Sequence, residues 1–170
     1  AQYSIAMGYQ NSVNSFGTAG LALGNTNKVM QQNGVGIGTG NIVNGSYSIV
    51  IGTYDTAANF NTTVFGDHNA GYGSYSTVTG GFSKTYGNYS FTSGYLNTAN
   101  GTASATFGQQ DTTVAQYSIA MGYQNSVNSF GTAGLALGNA NKVMQQNGIG
   151  IGTGNIVNGS YSTVIGTYDT

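Results

Sequence analysis

One pattern limits what this chain can fold into more than any other: a glycine that returns at a fixed short interval. Gly8, Gly24, Gly38, Gly52, Gly66, Gly80, Gly94, Gly108, Gly122, Gly138, Gly152 and Gly166 each close a similar five-residue word. They stand 14 residues apart, except for steps of 16 at Gly8–Gly24 and Gly122–Gly138. A period this short, held for twelve copies, marks a solenoid. No unit of that size buries a core alone, and each gains one only by stacking on its neighbours. A second, longer repetition lies over the first. Residues 1–56 and 115–170 differ only at Thr26/Ala140, Val35/Ile149 and Ile49/Thr163, and their offset of 114 equals eight units. Residues 1–170 therefore read as one repeat array. Its pattern is already running at both ends, so a fragment of a longer chain is expected. The two longer units carry Ser15-Phe16 and Ser129-Phe130, expected as longer loops whose phenylalanines act as packing plugs.

Aligned on the glycine, each column has its own chemistry. Position −4 is always Ser, Thr or Gly, and position −2 is always small or β-branched, as in Ala22, Gly36, Val50 and Thr92. Position −1 is large and apolar in ten of twelve units. Position +3 is Asn or Asp everywhere but at Ser83, and position +5 is small or β-branched again, as in Val29, Val43 and Ala57. A second glycine often follows about seven residues on, at Gly45, Gly73, Gly87 and Gly101. Period-2 alternation between Gly- and Asn-rich turns predicts two strands of about five residues per unit, the turns adopting φ > 0 at Gly or Asn. The +3 column falls at a corner. Its side chains are expected to bond turn backbone and to stack as a ladder, since most are amides rather than metal ligands.

The lysines fix which way the strands face. Lys28, Lys84 and Lys142 all occupy +4, and an ammonium does not point into a narrow roll. Positions +3 and +5 therefore face inward. Carried through the turn, the same parity sends −4 and −2 inward and −3 and −1 outward. The outward residues are Ile5, Met7, Leu21, Leu23, Val35, Ile37, Ile49, Ile51, Phe65, Phe107, Ile119, Met121, Leu135, Leu137, Ile149, Ile151 and Ile165. Two rows of large apolar residues on the outside of a thin roll exceed what a monomer exposes. A core of Ala, Val and Ser is also thin for independent folding. An obligate homo-oligomer, with the first strands turned toward its axis, is the expected solution.

Composition excludes other classes. Gly is 29 of 170 residues, which disfavours helix, while 13 Tyr and 7 Phe are too many aromatics for a disordered chain. Charged residues are 4% and the net charge is −1, so nothing points to nucleic acid or an acidic membrane surface. There is no Cys, hence no disulfide framework. No apolar run reaches a membrane span, and the N-terminus lacks a signal-peptide layout. With one histidine, His68, and four aspartates, no nucleophile–base–orienter set can be assembled, so neither an enzyme nor a cofactor is expected.

The words Ser4-Ile5-Ala6-Met7-Gly8, Gly20-Leu21-Ala22-Leu23-Gly24 and Ser118-Ile119-Ala120-Met121-Gly122 closely resemble the head repeat of the trimeric autotransporter adhesins of Gram-negative bacteria, the YadA-like head. The resemblance covers all twelve units. It implies an all-β, left-handed parallel β-roll of about twelve 14-residue rungs, assembled as a homotrimer. It also implies a bacterial outer-surface location, with the signal peptide, stalk and C-terminal membrane anchor lying outside this segment. Two departures stand out. The +3 column is Asn or Asp where such heads often carry Ala. Thr77, Thr79 and Ser93 replace axial aliphatics, which predicts a wetter or looser trimer axis at those rungs.

Residues 14 apart stack, so aromatic columns become stripes. Position +2 carries Tyr54, His68, Phe82 and Leu96, position +6 carries Tyr72 and Tyr86, and position −5 carries Tyr75 and Tyr89. Exposed tyrosine is a good anchor for protein or glycan recognition, and the same rings could equally serve as cross-rung packing. The function expected is multivalent attachment to host matrix proteins, receptors, glycans or surfaces. A fibre spacer with no ligand of its own is the alternative. Ice or crystal binding would need a regular Thr-x-Thr column, which occurs once in the strand word, at Thr77 and Thr79.

Overall fold

The computed structural model describes residues 2–14, 18–128 and 132–170. The chain is an all-β parallel solenoid of about eleven turns of about 14 residues. Phe16 and Phe130 lie outside the described residues. The chain divides into two compact units, residues 1–84 and 85–170.

Both units are built from one turn. A long strand of five residues runs from −3 to +1, as in Ile49–Thr53. One left-handed residue follows, here Tyr54 at φ 52°. Asp55 then forms the corner, and a short strand, Thr56–Ala57, occupies +4 and +5. A second left-handed residue at −5, Asn61 at φ 52° in this turn, leads into the next long strand. The short strands span two residues rather than the five expected. The chain swings into its second turn as soon as the one inward position, +5, has been buried.

In the first unit the long strands Ile5–Tyr9, Leu21–Asn25, Val35–Thr39, Ile49–Thr53, Thr63–Asp67 and Thr77–Gly81 pair in chain order, all parallel. In the second the order is Phe91–Tyr95, Ala105–Gln109, Ile119–Tyr123, Leu135–Asn139, Ile149–Thr153 and Thr163–Thr167. Register is without slip, glycine against glycine, as at Gly52 and Gly66. The turns join the ladder too. The Tyr54 N–H donates to Thr39 O at 2.8 Å and the Tyr47 N–H to Gln32 O at 3.0 Å. Backbone N–H groups that would otherwise be orphaned at these corners are thus satisfied by carbonyls of the preceding rung.

The repeated glycine is explained at Gly38. Its φ is +121°, and a Cβ there would stand 2.0 Å from Gly52 O. The second glycine has a different reason from the one expected. Gly45 is not left-handed; a Cβ there would stand 1.7 Å from Asn59 O. It is a point of close backbone approach, and the left-handed positions are held by Tyr, Asn, Ala and other residues instead.

The interior is made of the columns −4, −2, +3 and +5. Ala22, Val29, Val43, Val50, Ala57, Val64 and Val78 form one apolar cluster, and Ala115, Ala120, Val127, Ala136, Val143 and Val157 another. Large and small residues compensate each other across the narrow space. Gly34 sits between Val29 and Val43, whose methyls would be 2.8 and 3.0 Å from an added Cβ. Where +5 shrinks to Gly71, the −4 residue grows to Thr62, whose methyl would be 2.3 Å from a Gly71 Cβ. Constant volume with varied chemistry is what a close-packed interior demands.

Candidate functional site

The outward columns lie where the parity of the lysines places them. In the first unit Ile5 and Met7 are exposed, Leu21, Leu23, Val35 and Ile37 are half-buried, and Ile49, Ile51 and Phe65 are exposed. In the second, Ile119 and Met121 are exposed, Phe107, Leu135, Leu137, Ile149 and Ile151 are half-buried, and Ile165 is exposed. Ile51 at 41% and Met121 at 44% exposure show the scale inside the stack. Rungs above and below cover the flanks of each side chain and leave its tip bare. Thr77 and Thr79, and Ser93, take these positions in their rungs and are half-buried. Phe91, which the sequence reading did not single out, stacks diagonally on Phe107 with ring centroids 5.2 Å apart. The two rings lie over the face that Ser93 and Ala105 leave thin.

Aromatic residues concentrate at the left-handed corners. In the first unit Tyr54, His68 and Phe82 hold φ values of 52°, 55° and 52°. Their rings form a continuous row, with Tyr54–His68 centroids 5.1 Å apart at a 44° tilt and His68–Phe82 4.9 Å apart and nearly parallel at 5°. Asp67 Oδ1 lies 2.9 Å from His68 Nδ1, and both side chains are about half exposed. Leu96 holds the same kind of corner in the second unit, at φ 56°, and is exposed. A second row, Tyr47–Phe60–Tyr75, has centroid spacings of 5.4 Å at both steps. Only Tyr75 of this row was singled out from the sequence. Phe60 sits at −6 instead of −5, so a strict column misses it. Tyr72 is exposed, and its carbonyl accepts from Asn59 Nδ2. Tyr86 and Tyr89, exposed, belong to the second unit, where the Tyr86 N–H donates to Ala99 O at 2.8 Å.

The third feature is internal. The +3 side chains form a ladder along the inside corner. Asn41 Oδ1 accepts from the Asp55 N–H at 3.0 Å, while its Nδ2 donates to Ile37 O at 2.8 Å and Gly52 O at 2.9 Å. Asn69, Asn97, Asn125, Asn141 and Asn155 each direct Nδ2 to the same two kinds of carbonyl. Asp55 and Asp111 occupy two rungs of this ladder and are fully buried. Their Oδ1 atoms accept from the next rung, the Asn69 N–H and the Asn125 N–H, at 2.7 Å in both cases. Their Oδ2 atoms are buried with no hydrogen-bond partner. Burial pushes the Asp55 carboxyl up to about 6, against the opposing effect of the Asn69 N–H groups. Burial also raises Asp111, with Asn125 and the Gly122 N–H opposing.

The chain matches no protein-family model and no curated protein.

Proposed function

We propose that this chain is a head segment of a trimeric surface adhesin, a left-handed parallel β-roll assembled as a homotrimer on the outer surface of a Gram-negative bacterium. The observation that carries the reading is the double row of apolar side chains on the outside of the long strands, set over an interior no larger than Val. An apolar face of that length calls for a cover. The same face of other copies supplies one by symmetry, without needing a second gene product. The repeat word, similar to that of the YadA-like head, gives the number three and the left hand. Trimerisation about the long strands leaves the left-handed corners, with their tyrosines, phenylalanine and histidine, on the outside. Each corner that carries a Tyr or Phe offers rigid aromatic area at low entropic cost. Three chains multiply weak sites into avidity.

The partners of this reading are host matrix proteins, cell-surface receptors or glycans. Its test is solid-phase binding of the purified chain to immobilised matrix proteins and host-type glycans. Saturable binding is expected. It should weaken at least tenfold when Tyr54 and Phe82 are changed to Ser, and again when Tyr72 and Tyr86 are. A spacer is the second reading, favoured by the near-identity of residues 1–56 and 115–170, since copying whole rungs lengthens a solenoid without altering its ends. Absence of saturable binding to every surface, with the fold intact, would decide for the spacer.

A further inference from the structure

We propose that Asp55 and Asp111 are proton-binding sites, each held as a neutral carboxylic acid whose hydroxyl stands in for the amide of the neighbouring asparagines. The geometry of the ladder carries this. At every neighbouring rung the atom in that place is a nitrogen with two hydrogens, aimed at two carbonyl oxygens. The Asp55 Oδ2 is set in the same place. A Cβ on Gly52 would stand 2.3 Å from Asp55 Oδ2, as one on Gly66 would stand 2.8 Å from Asn69 Nδ2. A Cβ on Gly108 would stand 3.0 Å from Asp111 Oδ2, as one on Gly94 would stand 2.9 Å from Asn97 Nδ2. The carbonyls that correspond to the asparagine acceptors are those of Ile51 and Gly66 for Asp55, and of Phe107 and Gly122 for Asp111.

An ionised carboxylate there would turn a buried, unpartnered oxygen toward carbonyl oxygens, which repel it. The cost of an unpaired buried charge is large. One proton removes the charge and converts the repulsion into a hydrogen bond. A hard cation fits less well, because such ions need oxygens at about 2.3–2.6 Å, whereas this ladder is spaced for hydrogen bonds, at 2.8 and 2.9 Å around Asn41. The charged and titratable groups acting on Asp55 are Asp67, which raises it further, and His68, which opposes. Both belong to the next rung and are exposed. Around Asp111 the opposing groups are uncharged N–H donors of Asn125 and Gly122.

The linkage has a definite sign. The folded Asp55 carboxyl keeps its proton up to about pH 6, while its ordinary value is 3.8. Between these the folded state holds more protons, so stability falls as pH rises through the window and levels off above it. The rungs are strengthened in mild acid.

The test uses the intact chain with 13C-labelled aspartate. In the folded protein at pH 5 the Asp55 and Asp111 carboxyl carbons, assigned through the single variants, should give the un-ionised signal. The variant Asp55→Asn with Asp111→Asn restores both amide hydrogens at each rung. Its unfolding constant in urea at pH 7.5 should be lower than the parent's, by up to ~100-fold for an Asp55 carboxyl raised from 3.8 to about 6. It should also lose the parent's decline between pH 4 and pH 6. Ionised carboxyl carbons at pH 5 in the folded parent would overturn the proposal even if the variant fails to fold. So would a variant less stable than the parent at pH 7.5, or a parent, but not a variant, stabilised by added Ca2+ at that pH.

Discussion

Within the second unit, the rungs from Ser90 to Thr113 and those from Ala115 to Val157 share one backbone and have different interiors. In the first group Ser90, Thr92, Ser104, Thr106 and Thr113 are buried. Their hydroxyls bond one another and the turns. Thr106 Oγ1 lies 3.2 Å from Thr92 Oγ1, Thr113 Oγ1 donates to Ser104 Oγ at 2.9 Å, and Ser104 Oγ donates to Gly101 O at 2.6 Å. In the second group position −4 is Ser118, Gly134 and Gly148, while the Thr columns give way to Ala120, Ala136 and Gly150 at −2 and to Val127, Val143 and Val157 at +5, the alanines and valines joining one apolar cluster. Yet the long strands are five residues in both, and the register passes from Ala105 to Ile119 without a slip. The corner bonds also agree. Asn97 Nδ2 reaches Ser93 O and Gly108 O at 2.7 and 2.8 Å, and Asn141 Nδ2 reaches Leu137 O and Gly152 O at 2.8 Å each. The frame is therefore set by the glycine and asparagine columns and by the backbone ladder. The interior is free to change chemistry so long as its volume is kept and its hydroxyls are paired.

Changes to the frame give the largest effects and should not distinguish the two groups. Gly94→Ala and Gly138→Ala would place a Cβ 1.9 Å from Gly108 O and 2.1 Å from Gly152 O, at φ +120° and +115°. Each is expected to cost at least ~3 kcal/mol, combining backbone strain with a clash against backbone. Urea unfolding of the pair measures it. A Gly94 variant much milder than the Gly138 variant would break the idea of a common frame.

Changes to the interior are smaller and should separate the groups. Val143, fully buried, loses two methyls in Val143→Ala, for about 1.5–3 kcal/mol. Thr92→Val with Thr106→Val removes both ends of one buried hydroxyl contact in nearly the same volume, and is expected to change stability by less than ~1 kcal/mol. Thermal unfolding of the two variants side by side would sharpen the comparison. A double variant as damaging as Val143→Ala would mean that the hydroxyl network holds its rungs together rather than filling them.

Much of this was legible in the sequence because the period of 14 holds at all but two steps and three lysines share one column. Those two facts give the parallel rungs, the inward Ala and Val columns, the outward aliphatic rows and the corner ladder. Turns with φ > 0 were legible, and Asn33, Asn61 and Gly40 hold some of them, but bulky residues at the other left-handed corners were not. Tyr47, Tyr54 and Phe82 hold φ values between 52° and 59°, which a bulky side chain avoids unless its surroundings impose them. The imposition comes from the neighbouring rung, whose carbonyls accept these N–H groups, and no local window reveals it. The same holds for the short strands. Their two-residue length follows from the width of a roll that buries one residue per short pass. Asp55 shares its column with the asparagines, and only the geometry shows which of its oxygens has nothing to accept from. The Tyr47–Phe60–Tyr75 row escaped because Phe60 joins it from one residue out of column.

The central claim is that the outward apolar face exists to be covered by copies of the same chain. Sedimentation equilibrium of the purified chain at micromolar concentration tests it most directly. The account predicts a single folded species of three times the 17.4 kDa chain mass, with no folded monomer on dilution. A stable, folded species of 17.4 kDa with the parallel-β spectrum intact would contradict it.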